Sequence, residues 1–570
     1  MDAAAYDARL DALWRKNWPA EVSPRLAYPF GEIPLGDYLR RRALEAPDKP
    51  ALIFYGTVIT YAELDRLSDR CAALLSQHGA KSGDRIAVFL QSSPQFVIAF
   101  YGILKLGCVH VPVNPMFREH ELEYELNDTD AEIIVAQDTL IDLVRAVRDR
   151  TKVRTVFSTS IAEMLPANAT LPVPAGLDQS PVAHADAIDF MAALRAVTGA
   201  PPRVDIDLDA VAALNYTGGT TGMPKGCVHT QRHMIYTAAT VCSRDSGQSR
   251  DRVRVNFMPL FWIAGENAGL IVPVFAGATL ILLARWDPVG WMAAVDRYKV
   301  ETAGLLVDNA VQVMDHPDVG RYDLTSLKTT TCSSFVKKLN LAFRERWKTL
   351  TGATLIEAAW GMTETHTNDT FTLGMQQDDW DLKTQPVFVG LPVPGTRFRI
   401  CSFETGEIVP LGTEGEIVVS SPSLLTHYWN KPEASAESIR GDWFHTGDIG
   451  MLDEEGYLHF LGRRKEMLKV NGMSVFPSEI EALLGQHPAI LGSGVIGVDD
   501  ERRGQAPLAF VIVDRVKAPD LSADDLRQWC AKNMATYKVP AFRIVDALPM
   551  TATGKVKKEE LKRLLDPVGT

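Results

Sequence analysis

Apolar positions along this chain alternate between a helical and an extended period, and that alternation predicts most of its elements. From Tyr61 to His78 they recur at helical spacing, and Arg85-Ile86-Ala87-Val88-Phe89-Leu90 then reads as a buried strand. Gln95 to Leu106 is helical again, Val109 to Val113 is a strand ended by proline, and Ala131 to Ala136 repeats the theme. Strand–helix alternation predicts parallel sheets covered by helices. The run Ala268 to Ala284 holds Pro273 and two glycines, so it reads as a buried helix and strand turning at Ala276-Gly277-Ala278, not as a membrane span.

Residues 390 to 460 change character. Short β-like runs such as Arg397 to Ile400 and Gly415 to Val419 lie between Gly and Pro turns, which predicts a small, mostly antiparallel subdomain. Gly462-Arg463-Arg464-Lys465 is a charged segment suited to an interdomain hinge. After it come a helix opening at Pro477-Ser478-Glu479 with Ser478 as N-cap, strands at Gly494 to Val498 and Leu508 to Val513, and a helix from Ala523 to Met534.

The expected organisation is therefore α/β. An irregular, proline-containing arm spans 1–34, and a large N-terminal domain with helix-covered parallel sheets and a small β-rich subdomain spans 35–462. A hinge follows at 463–466, then a smaller, mobile α+β C-terminal domain over 467–570. Thr155 to Leu208 carries no chemical motif and reads as connection, with a short helix around Phe190 to Val197.

Composition narrows the function. A chain of 570 residues exceeds a single core, and a formal charge of −12 argues against nucleic acid as the partner. Seven scattered cysteines without a Cys-x-x-Cys pair suggest reduced thiols in a cytoplasmic protein, neither a disulfide framework nor a zinc site. The start, Met-Asp-Ala-Ala-Ala-Tyr-Asp, lacks a basic and apolar leader, so no secretory signal is expected.

Candidate chemistry concentrates in Tyr216-Thr217-Gly218-Gly219-Thr220-Thr221-Gly222-Met223-Pro224-Lys225-Gly226. Glycines let backbone close on a ligand, and successive N–H groups and hydroxyls make a concave anion site to which a lysine adds charge. The order is not that of the Walker loop, because Pro224 precedes Lys225 and Gly226 follows it. It resembles the signature loop of the adenylate-forming superfamily: acyl-CoA synthetases, aryl-CoA ligases, luciferases and peptide-synthetase adenylation domains. The family pattern has serine where Gly218 stands. Four further segments resemble that family in order: Ala359-Trp360-Gly361-Met362-Thr363-Glu364, Trp443 to Asp448, Gly462 to Gly472, and Pro549 to Lys555.

The resemblance implies a two-step reaction, in which a carboxylate attacks the α-phosphorus of ATP and a thiol then displaces AMP. It implies that Thr217, Gly218, Gly219, Thr220, Thr221, Gly222 and Lys225 hold the phosphates, and that Thr363 donates to the α-phosphate. Glu364 holds Mg²⁺, Trp360 and Gly361 with Ser334 border adenine, and Asp448 with Arg463 meets the ribose. The resemblance further implies that Lys555 is the main catalytic residue, and that rotation about Lys465 replaces it with Lys469 and Gly472 for the thiol step.

Coenzyme A is the expected acceptor, since the chain ends fifteen residues after Lys555 with no carrier domain. A homodimer is left open. The acid is expected to be fatty, of medium to long chain, with an aryl or polar acid and a luciferase-like monooxygenase as alternatives. Trp262, Asp308, Phe335 and His366, all departures from the family pattern, are the expected substrate-pocket residues.

Overall fold

The computed structural model describes residues 2–217, 223–244, 252–357, 360–384, 388–471, 473–500, 502–551 and 554–565. Two seven-stranded sheets dominate the first part of the chain. One has the strand order Ile188–Asp189, Thr155–Thr159, Ile133–Gln137, Arg85–Phe89, Val109–Pro112, Val211–Tyr216, Gly226–Thr230, parallel except for the last pair. The other runs Leu355–Glu357, Thr329–Ser333, Thr302–Leu306, Val253–Asn256, Thr279–Leu282, Pro50–Phe54, Thr57–Thr60, again parallel up to a terminal hairpin.

Both sheets contribute to one large apolar core. The helix Pro94–Lys105 is buried along its whole length within it, which explains why it is apolar on every face. The apolar run read as helix then strand is Val272–Ala276, ended by left-handed Gly277 at φ 75°, and Thr279–Leu282.

A mostly antiparallel sheet with strands Thr370–Phe371, Phe388–Pro392, Leu458–Arg463, Trp443–Leu452, Gly415–Ser420 and Arg397–Cys401 has its own core. The C-terminal sheet comprises Met473–Val475, Leu468–Val470, Gly504–Val513, Ile490–Asp500 and Ala541–Ile544, backed by the helices Pro477–Leu484 and Ala523–Asn533.

Two local expectations fail. The stretch expected as an irregular arm opens with the helix Ala3–Asn17, capped by Asp2. Its Tyr6, Leu10 and Trp14 stripe is buried against the antiparallel sheet, and the Trp14 indole donates to Gly456 O at 2.8 Å. Ser478 is not an N-cap, because Phe476 holds that position with Pro477 in the first turn. The Ser478 hydroxyl donates instead to Leu461 O. The seven cysteines are free, six of them buried. Among the described residues no helix is long and apolar enough to cross a membrane.

Candidate active site

A cavity of about 2530 Å³ opens where the parallel sheets, the antiparallel sheet and the C-terminal sheet meet. That exceeds an ordinary ligand pocket of roughly 300–1,000 Å³, leaving room for a nucleotide and a second substrate together. Thr217, Lys225, Trp262, Ser334, Phe335, Trp360, Gly361, Thr363, Glu364, Asp448, Arg463, Lys465 and Lys555 all reach its wall.

The glycine-rich segment links two antiparallel strands, Val211–Tyr216 and Gly226–Thr230. Thr217 N donates to Lys225 O at 3.0 Å and Lys225 N to Thr217 Oγ1 at 3.2 Å, closing its base. Gly218, Gly219, Thr220, Thr221 and Gly222 lie outside the described residues, as does Gly472. The Lys225 ammonium sits 4.0 Å from the centroid of the Tyr428 ring, a cation–π contact. The Tyr428 hydroxyl in turn donates to Glu364 Oε1 at 2.9 Å. Burial and the neighbouring carboxylate push the Tyr428 pKa well above the ordinary phenol value, so it stays a donor.

The Thr363–Thr365 turn is held by four consecutive carbonyls. His229 Nε2 donates to Thr363 O at 2.9 Å, and Leu425 N to Glu364 O at 2.7 Å. The Ser423 hydroxyl donates to Thr365 O and Asn267 Nδ2 to His366 O, both at 2.6 Å. Burial, with His366 and His233 adding repulsion, holds His229 well below the usual histidine pKa, so its ring is neutral. Tyr428 occupies one Glu364 oxygen. The other accepts no hydrogen bond among the described residues, so it would be available to a hard cation such as Mg²⁺.

Asp448 is buried, and the Trp360 indole N–H donates to its Oδ2 at 2.9 Å. Arg463 Nε lies 3.2 Å from Oδ1, an atom that accepts no hydrogen bond. That orphaned acceptor fits a ribose hydroxyl. Burial raises the Asp448 pKa, with Arg463 and the indole acting against it. Trp360 thus spends its polar edge on Asp448 and packs edge-on against Phe398, with ring centroids 5.6 Å apart.

Lys555 stands on a tight turn in which Thr551 N donates to Lys555 O at 2.7 Å and Gly554 N to Thr551 O at 3.1 Å. Gly554 has φ +81°, and a Cβ there would meet Leu306 Cδ1 at 2.9 Å, so the turn is pressed against the large sheets. The Lys555 ammonium lies 5.2 Å from the Phe335 ring centroid. The surrounding protein and then Arg463 lower its pKa, while Asp448 and Glu364 oppose them. Lys558 pairs with Glu466 at 2.5 Å and Glu481 at 3.1 Å.

Two expected substrate-pocket residues do not reach the cavity wall. Asp308 instead accepts from Lys337 N at 3.2 Å, and burial raises its pKa. His366 is fully buried directly after the Thr363–Thr365 turn, with its Nδ1 3.2 Å from Thr237 Oγ1. Trp262 and Phe335 do form part of the wall, with centroids 6.2 Å apart and planes at 56°. Lys469 is exposed, bonds Ser474 Oγ at 3.0 Å and stands off the wall.

Two wall residues that hold the site's side chains in place, Tyr428 and Glu357, are among those the sequence reading missed. Tyr428 carries no motif spacing, and Glu357 lies in an apolar run that reads only as strand. Glu357 accepts from Ser334 N at 2.9 Å and Ser334 Oγ at 2.5 Å, and burial pushes its pKa up to about 7 against those bonds.

One cleft brings together the base of the glycine-rich hairpin, the Thr363–Thr365 turn with Glu364, and Lys555 from the C-terminal unit. The chain belongs to the AMP-binding enzyme family, whose model matches residues 39–429, and the family's C-terminal domain matches 479–555. It is 32% identical over 568 residues to a long-chain-fatty-acid–CoA ligase of Bacillus subtilis (strain 168), covering 96% of this chain and 97% of that one. It is 28% identical over 573 residues to a 4-coumarate–CoA ligase of Vanilla planifolia, covering 99% and 98%. The crystal structure of an anthranilate CoA ligase with anthranoyl-AMP superposes with a TM-score of 0.78 at 25% identity, covering 93% and 97%.

Proposed function

We propose that this chain is an ATP-dependent acid–CoA ligase acting on a fatty acid of medium to long chain. The carboxylate oxygen attacks the α-phosphorus of ATP, and the bond to the bridging oxygen breaks to release pyrophosphate. The thiol of coenzyme A then attacks the acyl carbon and AMP leaves. The observation that carries this reading is the placing of Lys555 in one cavity with Thr363, Glu364, Asp448 and Arg463. The first step gathers negative charge around phosphorus, and oriented donors and cations stabilise it.

In this reading Thr363 and the glycine-rich loop bind phosphate, Asp448 and Arg463 hold the ribose, and the Lys555 ammonium bridges the attacking carboxylate and the α-phosphate. Glu364 holds Mg²⁺, which supplies charge neutralisation at the phosphates. Residues 463–466 serve as a hinge, the unit beyond them moves, and Lys469 takes the place of Lys555 for the thiol step. A cytoplasmic setting suits the free thiols.

An aryl or polar acid is the second reading. The tilted Trp262–Phe335 pair favours it, since two rings 6.2 Å apart narrow the wall beside Lys555. A pyrophosphate-release screen over aliphatic, aromatic and polar acids separates the two. The fatty-acid reading expects release to rise with chain length, and best release with a benzoate or cinnamate overturns it. Light or oxygen uptake would indicate the luciferase-like alternative.

A further inference from the structure

Residues 333–340 connect the strand Thr329–Ser333 to the helix Leu341–Thr351, and they do more than line the cleft. Two buried or half-buried carboxylates grip the segment from below: Glu357 takes the N–H and hydroxyl of Ser334, and Asp308 takes the N–H of Lys337. The Ser334 hydroxyl also accepts from Leu339 N at 2.9 Å, so the segment is tied to itself. The Lys338 ammonium folds back onto Ser334 O at 3.0 Å and Phe335 O at 3.3 Å.

The upper side of the same segment meets the C-terminal unit at four successive points. Phe335 lies under Lys555, with Gly554 packed beside it. Val336 is buried in an apolar cluster with Ile496, Leu508, Phe510, Leu548 and Leu561. It is the one buried member of that cluster, among the described residues, that comes from before the expected hinge. A Cβ on Gly492 would lie 2.6 Å from Val336 Cγ1, and one on Gly485 would lie 2.8 Å from Lys338 Cβ, so both glycines are kept small by this contact. Asn340 Nδ2 donates to Gly485 O at 3.2 Å.

A rigidly tied loop that meets a second unit by a buried apolar side chain and a hydrogen bond is a seat. We propose that residues 333–340 form the docking seat that holds the C-terminal unit where Lys555 reaches the cleft. Val336, and Glu357 acting through Ser334, are therefore positioning residues for acyl-adenylate formation and not for the thiol step. This rests on the acid–CoA ligase reading. Phe335 belongs both to the seat and to the acid wall, so an acid that displaces its ring also disturbs the footing of Lys555.

The test uses the full chain with Val336→Asp, Val336→Ile and Glu357→Gln. Adenylation is read as ATP–pyrophosphate exchange with dodecanoate, and the thiol step as thioester formation from supplied dodecanoyl-AMP and coenzyme A. A charge forced into a desolvated apolar contact is expected to lower exchange about 10- to 100-fold. The thiol step stays within about twofold, Val336→Ile restores exchange, and Glu357→Gln gives a smaller loss of the same kind. Equal losses in both half-reactions, or undiminished exchange in Val336→Asp, overturn the proposal.

Amide hydrogen exchange at residues 490–495 gives a readout independent of catalysis. Protection there is expected to fall in Val336→Asp and to return in Val336→Ile. Unchanged protection overturns the seat even if the parent proves not to be a ligase, whereas a parent without exchange on any acid overturns only the ligase reading.

Discussion

The side of the cleft proposed to take the nucleotide is held by bonds from many directions, whereas the proposed acid side carries the ring pair Trp262 and Phe335. Thr363 and Glu364 sit on a turn whose carbonyls are gripped by His229, Leu425, Ser423 and Asn267, and Asp448 is fixed by Trp360 and Arg463. Trp262 and Phe335 meet only through tilted faces, and Phe335 rides on a loop that also seats the C-terminal unit. Hydrogen bonds specify one geometry, whereas apolar contacts tolerate exchange of shape at modest cost. Under the proposed function, chemistry would rest on the hydrogen-bonded side, and the choice of acid on the two ring faces of Trp262 and Phe335.

That contrast can be broken by substitution. The largest effect belongs to Glu364→Ala, which removes the acid beside Tyr428. Adenylation is expected to fall about a thousandfold by pyrophosphate exchange for every acid tested, and a loss confined to some acids would erase the contrast. Asp448→Asn keeps an acceptor for the Trp360 indole but removes the charge facing Arg463. The KM for ATP should rise about tenfold with the acid KM unchanged, as steady-state kinetics would show.

On the other side, Trp262→Ala should leave the ATP KM alone. The ratio of kcat/KM between the bulkiest and smallest accepted acids should shift about tenfold, since a vacated hydrophobic volume discriminates by only a few kcal/mol. The smallest effect concerns pH. In the proposed reaction Lys555 acts as a cation, and its pKa is lowered by the enclosing protein and by Arg463. Adenylation should therefore decline with rising pH before the ordinary lysine value of about 10.4 is reached. Arg463→Leu removes a repelling cation, so the alkaline limb should move upward.

The same division governs what could be read before the structure. Phosphate binding needs particular residue types side by side, so the glycine-rich hairpin, the Thr363–Glu364 turn and the Lys555 turn each left a compact mark. The parallel sheets were equally legible, because periodicity is a local property. The supports were not: Glu357 reaches Ser334 across 23 positions, and Tyr428 reaches Glu364 across 64. Asp308 shows the opposite error, since its departure from the family pattern suggested contact with substrate while its carboxylate accepts from a backbone N–H. The N-terminal helix was hidden by the prolines that follow it, although Tyr6, Leu10 and Trp14 stand one turn apart.

The most direct measurement compares Lys555→Ala and Lys469→Ala in the two half-reactions assayed separately. Lys555→Ala is expected to abolish acyl-AMP formation, leave ATP binding intact and spare thioester formation from supplied acyl-AMP, while Lys469→Ala shows the reverse weighting. Parent-like adenylate formation by Lys555→Ala, or matched losses in both steps for both variants, would contradict a lysine delivered to the cleft for the first step alone.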